Sequence, residues 1–540
     1  MSRARWMPWH LAERQFRFPP CARWKDIDGI VHSTLHSTAA ERQVVFPFHA
    51  GISLPDVLNT NSGYQRFLCI LILVGFGLRL VMLERFRFHQ DEALYSYWAL
   101  RFLHDDPLFL EQWIDKPPLF VWLLAYCFQA LGASEASARL LNIGISTLTI
   151  PVVAAIARRA SATPAAAGVV AATAFALNPF AISYSPTAFT DPLLVLAGVC
   201  SLYAALRSRP FLAGLCLGAA IMTKQQGLFF VPLALAVLIA GNPKAKAAGA
   251  AGLRAAGGLA VTVLPVLYWD SLRWAVAPSP WDLGVRNYGA LELLPLAQWP
   301  ERVARIADLL WYLTASPVVW TVVIAAVIAA SVLGVRKGPS LSQRSTALAA
   351  LLCGWIGLYW GFHAAFSLPV WDRYFLPVAP AFAILCGWLG GRLLASASQL
   401  WRSAAIGLWI VLLLPGALQA TRGEFPIGGD HGAYEGLREA SAWLDSHSPP
   451  GAVLYHQSLG WHFQFYLFEN PRSYAVRWVA TPVALADDAA KRPQSARFVI
   501  APAWQPLRNF HPHLAARELK LVQRVREGQF TVYELMPRRR

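Results

Sequence analysis

Six short stretches of this chain place acids or bases where they can act together. They are His89-Gln90-Asp91-Glu92, Asp115-Lys116-Pro117-Pro118, Ala138-Arg139-Leu140, Thr190-Asp191-Pro192, Thr223-Lys224-Gln225-Gln226-Gly227 and Trp371-Asp372-Arg373-Tyr374. Asp91 opens an amphipathic, aromatic-rich stretch, so it suits a helix cap, with Glu92 favouring the positive helix end. A carboxylate fixed at a helix start can equally accept a proton from a hydroxyl. Asp191 before Pro192 carries the same two readings, helix start or chemistry. Lys116 and Arg139 read either as side chains that snorkel to the headgroups or as partners of a lipid phosphate, for which Arg has a matching planar fork. Lys224, Arg373 and Tyr374 sit at the ends of apolar runs. Each stretch alone has a bland explanation. Together they offer separated carboxylates and several cations, which is what a reaction between a lipid-linked phosphate and a hydroxyl needs. No Cys-x-x-Cys pair occurs among the seven cysteines, so no metal site or disulfide framework is expected.

The elements that must position these residues are apolar. The 540 residues are 56% hydrophobic and 14% charged, with mean hydropathy +0.40; soluble domains carry about 25% charged residues. Charge is expensive in hydrocarbon. The net charge of +16 is therefore read as Lys and Arg in cytoplasmic loops, with no nucleic-acid partner. Apolar runs approach spanning length at residues 67–83, 140–157, 165–183, 188–206, 210–223, 227–241, 256–270, 309–334, 346–367, 375–395 and 402–419. The fold class expected is a polytopic α-helical membrane protein of about 11 spans. The basic pairs Arg158/Arg159, Arg207/Arg209, Lys244/Lys246 and Arg336/Lys337 then fall in alternate loops. That pattern sets the N-terminus in the cytoplasm and the C-terminus outside, although the loop 271–307 carries four further arginines against it. The apolar stretch Leu119–Leu131 is too short to span and is read as interfacial or re-entrant. The first outer loop, 84–139, then lies on the same side as Asp191, Lys224 and Arg373.

Residues 1–66 lack an apolar core and are read as a poorly ordered basic tail. Residues 67–420 form the membrane domain. Residues 421–540 change character: 434–447 has helical periodicity, and 451–456 and 496–501 read as short buried strands. This is a small extracytoplasmic α/β domain. Its Tyr455, His456, Trp461 and His462 suit sugar stacking and hydrogen bonding, or else ordinary core and turn positions.

The order Asp91-Glu92, Lys116-Pro117-Pro118-Leu119, Ala138-Arg139-Leu140, Thr190-Asp191, Thr223-Lys224 resembles the polyprenyl-phosphate-sugar-dependent glycosyltransferases. These are glycosyltransferase family 39 and its relatives in the GT-C superfamily, which include protein O-mannosyltransferases and lipid A aminoarabinose transferases. The resemblance covers residues 67–395. Arg373-Tyr374 looks like the family's late motif, whereas its usual Lys-Gly-Pro is here Lys224-Gln225-Gln226-Gly227. The resemblance implies extracytoplasmic catalysis at the cytoplasmic (inner) membrane, an inverting mechanism and a polyprenyl-phosphate-linked sugar donor. On this reading Asp91 is the base, with Glu92 and Asp191 orienting the acceptor or tuning the cations. Lys116, Arg139, Lys224, Arg373 and Tyr374 hold the donor phosphate. Tyr455, His456, Trp461 and His462 meet the acceptor, which is a glycolipid, polysaccharide or protein. Membrane lipids are the surrounding partners, and no cofactor is called for. The rival is a lipid or sugar transporter or flippase; it suits many spans but not charges gathered at one face, and no inverted repeat is apparent.

Overall fold

The computed structural model describes residues 61–540 apart from 243, 289–290, 337–342, 469–473, 506 and 539–540. Residues 1–60, most of the expected basic tail, lie outside the described residues. Residues 61–66 are not tail: the first helix, α1 (Asn61–Leu80), already contains them.

The chain continues through α2 (Gln90–His104), α3 (Leu119–Leu131), α4 (Glu135–Arg159), α5 (Pro164–Ala176), α6 (Pro179–Tyr184), α7 (Asp191–Leu206), α8 (Pro210–Thr223), α9 (Phe230–Gly241), α10 (Ala245–Arg273), α11 (Pro280–Tyr288), α12 (Trp299–Trp311), α13 (Pro317–Arg336), α14 (Gln343–Ala365), α15 (Val378–Leu393) and α16 (Gln399–Thr421). Among the described residues six helices are long and apolar enough to cross a membrane: α1, α4, α10, α14, the stretch Asp372–Leu393 ending in α15, and α16. Shorter apolar helices fill the rest of the bundle. α3, at 13 residues, is about 20 Å long, short of the ~30 Å hydrocarbon core.

Local chemistry sets many of these boundaries. Pro stands in the first turn of α5, α6, α7, α8 and α12, where its missing N–H costs nothing. Ser134 caps α4 reciprocally with Ser137. Two expected spans are interrupted. Residues 165–183 break at Asn178, whose side chain caps α6 by accepting from the Ala181 N–H (2.9 Å) and donates to the Leu313 carbonyl (2.7 Å). Residues 309–334 break before Pro317, at Ala315 with its positive φ of 50°. Lipid-facing positions are large and exposed, as with Leu253, Leu264, Leu408 and Val411. Arg79 within α1 is fully buried and bonded to Ser146 and the carbonyls of Gly75, Phe175 and Ala176, so its charge meets protein rather than lipid.

After α16 come α17 (Leu437–His447), β1 (Val453–His456), α18 (Gly460–Tyr466), β2 (Ala475–Trp478), α19 (Pro482–Ala490), β3 (Arg497–Pro502), α20 (His511–Ala515), β4 (Leu519–Glu527) and β5 (Phe530–Pro537). The sheet order is β2-β1-β3-β5-β4. β1 is parallel to β2 and β3, while β5 is antiparallel to β3 and β4. A separate apolar cluster covers each face: Leu454 joins α17 and α18 on one, while Val453 and Tyr455 join α19 and α20 on the other.

Candidate functional site

The site begins at the start of α2. His89 is the cap residue: its side chain accepts from the Asp91 N–H (3.2 Å), and Glu92 accepts from the His89 N–H (2.8 Å). The expectation that Asp91 caps this helix is therefore corrected, because His89 and Glu92 do so and leave the Asp91 carboxylate to other partners.

Glu92 and Arg139 are also corrected. Glu92 is fully buried and further accepts from the Ala188 N–H (2.8 Å) and from Arg139 Nε (3.2 Å) and Nη2 (3.3 Å). Arg139 spends its remaining donors on the carbonyls of Leu83 (3.1 Å), Phe86 (2.5 Å) and Arg87 (2.8 Å). All of its N–H groups are engaged and only 1% of the residue is exposed. This guanidinium has no donor to give a phosphate; the pair anchors the segment 83–92 to α4.

The other predicted charges converge. Asp91, with its side chain 29% exposed, pairs with Arg373 at 2.6 Å. The Arg373 guanidinium lies 4.8 Å from the Phe189 ring and 4.9 Å from the Trp371 ring. Lys116 reaches Asp115 at 3.0 Å and the Tyr288 hydroxyl at 2.5 Å. Asp115 in turn accepts from that hydroxyl (2.9 Å) and from Asn287 (2.8 Å). Lys224 pairs with Asp191 at 2.6 Å and stands 4.1 Å from the centre of the Tyr374 ring. Lys224 takes an extended conformation at the end of α8, which breaks the helix and turns the chain back. The turn is tight: a Cβ on Gly227 would sit 2.5 Å from the Ala220 carbonyl carbon. Gln225 ties it to the loop before α3 by donating to the Asp115 carbonyl (2.9 Å). Asp91 lies in the field of both Arg373 and Lys116, and Lys116 in that of Asp91 and Arg373.

Three cations thus face three carboxylates, each paired. Burial raises the Asp91 carboxyl, but Arg373, His89 and Lys116 outweigh it and hold Asp91 below its ordinary range. Burial pushes the Lys116 ammonium below the ordinary lysine value despite Asp115 beside it. Among the described residues no cluster of three metal-ligating side chains occurs.

The C-terminal residues separate. Tyr455 is fully buried beneath the sheet and donates to Asp488 (2.8 Å), so its acceptor role is withdrawn. His462 is fully buried, with Nε2 2.9 Å from the Phe88 carbonyl and its ring 4.4 Å from that of Tyr434. Trp461 packs toward Tyr97 of α2, at 6.1 Å between rings. Tyr466 donates to Glu135, which also pairs with Arg87 at 2.9 Å. These side chains fasten the C-terminal domain onto α2 and α4; the fully buried His462 is thereby corrected as an acceptor contact, while Trp461 stays half-buried. His456 alone lines a cleft.

Sequence reasoning passed over Asp115, Tyr288 and Asn287. Asp115 stood inside the Lys116 motif, where its acidity was signal enough. Tyr288 lies 172 residues from Lys116, and nothing in its own neighbourhood marks it.

Residues 115–269 match the family described as dolichyl-phosphate-mannose-protein mannosyltransferase. The matched segment includes Lys116, Asp191 and Lys224, but not Asp91 or Arg373. No curated protein matches the chain in sequence. Among solved structures, ArnT from Cupriavidus metallidurans in the apo state superposes with a TM-score of 0.64 at 16% identity, over 87% of this chain and 98% of that one. The same protein bound to undecaprenyl phosphate gives a TM-score of 0.60 at 16% identity, over 88% and 98%. At such identity the likeness is one of fold, and it spans both the membrane helices and the C-terminal sheet. The chain thus shares the fold of ArnT, and its residues 115–269 carry the sequence similarity to the mannosyltransferase family.

Proposed function

We propose that this protein transfers a sugar from a polyprenyl-phosphate carrier to an acceptor hydroxyl at the outer face of the cytoplasmic membrane, with inversion at the anomeric carbon. The observation that carries this reading is the cluster of Asp91, Lys116, Asp191, Lys224 and Arg373, drawn together from five separate segments. The undecaprenyl phosphate bound by the similar ArnT supports a lipid phosphate as the donor's leaving group. The basic loops between spans support an outer face for the cluster, with the N-terminus inside and the C-terminal domain outside.

In this mechanism Asp91 takes the proton of the acceptor hydroxyl as its oxygen attacks C1. The bond from C1 to the phosphate oxygen breaks, and the electron pair leaves with the polyprenyl phosphate. Lys116, with Arg373 and Lys224 behind it, meets the growing negative charge. Arg373 has two calls on it, because it pairs with Asp91 before any phosphate arrives. A phosphate that draws Arg373 away leaves Asp91 a stronger base, so donor binding prepares the acceptor step. Asp191 holds Lys224 in place, and Asp115 with Tyr288 does so for Lys116. Tyr374 lies against the Lys224 ammonium and shapes that side of the phosphate pocket.

The test is transfer from a short-chain polyprenyl-phosphate sugar by purified protein in detergent, with mass spectrometry of envelope glycolipids from a deletion strain to identify the acceptor. Product formation with free polyprenyl phosphate released is the expected result. Movement of labelled lipid across vesicles with no covalent transfer would replace this reading with a flippase.

A further inference from the structure

The C-terminal domain contains a cleft that the transfer chemistry does not use. The chain leaves β1 through α18 on one face of the sheet to reach β2, then returns through α19 on the other face to β3, on the opposite side of β1. Strand connections therefore diverge at the carboxyl ends of β1 and β3, the position where open α/β sheets form a ligand crevice. A shallow cleft opens there, lined by His456 at the end of β1, Gln457 and Ser458 after it, and Gln505 after β3. His456 is 9% exposed, and its Nδ1 has no hydrogen-bond partner. That nitrogen is enclosed by its neighbours, so it is the accessible edge of the ring that meets the cleft.

The chemistry of the lining selects the ligand class. No charged side chain lines this cleft. Burial brings His456 down to about 4, so at neutral pH its ring is uncharged, with one donor and one acceptor nitrogen. Gln505 donates to the Gln457 side chain, which fixes both amides at the rim. Beside them Trp478, paired in register with His456, donates its indole N–H to the Gln457 carbonyl at 3.0 Å and is 47% exposed. That bond holds a large aromatic surface still and open to solvent next to neutral amide, imidazole and hydroxyl groups. The enclosed part of the cleft has room for about one water molecule, which admits a hydroxyl or hydroxymethyl tip and leaves a ring outside, against Trp478.

We infer that the cleft at the carboxyl ends of β1 and β3 binds an uncharged sugar, with one hydroxyl on His456 and the ring stacked on Trp478. The site is distinct from the charged cluster at Asp91, and binding there requires no turnover.

The experiment uses the full-length protein in detergent. Saturation-transfer NMR and calorimetric titration are run with maltose, cellobiose and N,N′-diacetylchitobiose, and with glucuronate and inorganic phosphate for comparison. At least one neutral disaccharide binds, and Trp478→Ala weakens it by roughly tenfold, about 1.4 kcal/mol. Trp478 is exposed, so that variant keeps its fold; His456→Ala is the second probe. Asp91→Asn binds the disaccharide as the parent does, which separates this site from the transfer reaction. Absence of saccharide binding, equal binding by Trp478→Ala, or preference for glucuronate or phosphate would each overturn the inference. Charged probes would otherwise engage the neighbouring depression, which Arg508 and His511 line.

Discussion

Asp91 and Glu92 are adjacent carboxylates at one helix start, yet their surroundings give them opposite properties. Glu92 is fully buried, serves its own helix cap and holds Arg139, whose every donor is engaged. Asp91 is partly exposed and holds one arginine, Arg373, which lies beside two lysine–carboxylate pairs. A saturated pair has nothing left to exchange with a ligand and can only be structural. A pair at an open face exchanges partners when a phosphate or hydroxyl arrives. The difference is in satisfaction rather than charge, and it separates a closed pair from one that a ligand can approach.

The largest effect expected is on the saturated pair. Glu92→Gln leaves a buried guanidinium uncompensated, a change of about 3–5 kcal/mol in stability. Thermal unfolding in detergent reads this, and an unchanged midpoint would break the contrast between the two carboxylates. Asp91→Asn costs less stability than Glu92→Gln, because its pair with Arg373 is partly exposed, but lowers transfer by about a hundredfold or more, the scale of a lost general base. Full turnover in this variant would leave Asp91 only a partner of Arg373.

Lys116 tests the open side further. Lys116→Ala loses most transfer and donor affinity in detergent, where bilayer anchoring no longer matters. Lys116→Arg recovers part, because a planar fork does not fit the compact space between Asp115 and Tyr288. Wild-type turnover by Lys116→Ala would remove this residue from the donor site.

The smallest and sharpest effect is on pH dependence. In the free enzyme, which kcat/KM reports, Asp91 stays ionised to a pH below its ordinary value of about 3.9. The acid limb attributable to Asp91 therefore lies below the ordinary carboxylate range, and any stability from its pair is lost only as pH falls through that lowered value. Lys116 loses its proton as pH rises through a value below the usual ~10.4, so donor affinity falls earlier than for an ordinary lysine. Lys116→Arg, which stays charged, moves that alkaline limb upward. An alkaline limb that does not move assigns it to another group.

Legibility in the sequence followed the range of the interaction. Apolar runs, first-turn prolines and the Asp115-Lys116-Pro117-Pro118 motif are local, and they made the helical membrane fold and the Lys116 position readable. The break at Asn178 was not readable, because its amide is held by a carbonyl 135 residues away. His462 looked like a surface sugar contact, since nothing nearby says that the Phe88 carbonyl, 374 residues distant in sequence, completes it.

By itself the sequence determined which segments suit lipid, because hydrocarbon admits so few charges that their apolar composition decides the matter. It also determined which ionisable residues gather at the ends of apolar runs. Only the tertiary structure decided which of them cluster and which are fully engaged with partners. An arginine's role depends on how many of its donors are already occupied, and the carbonyls that occupy those of Arg139 come from a loop more than fifty residues away.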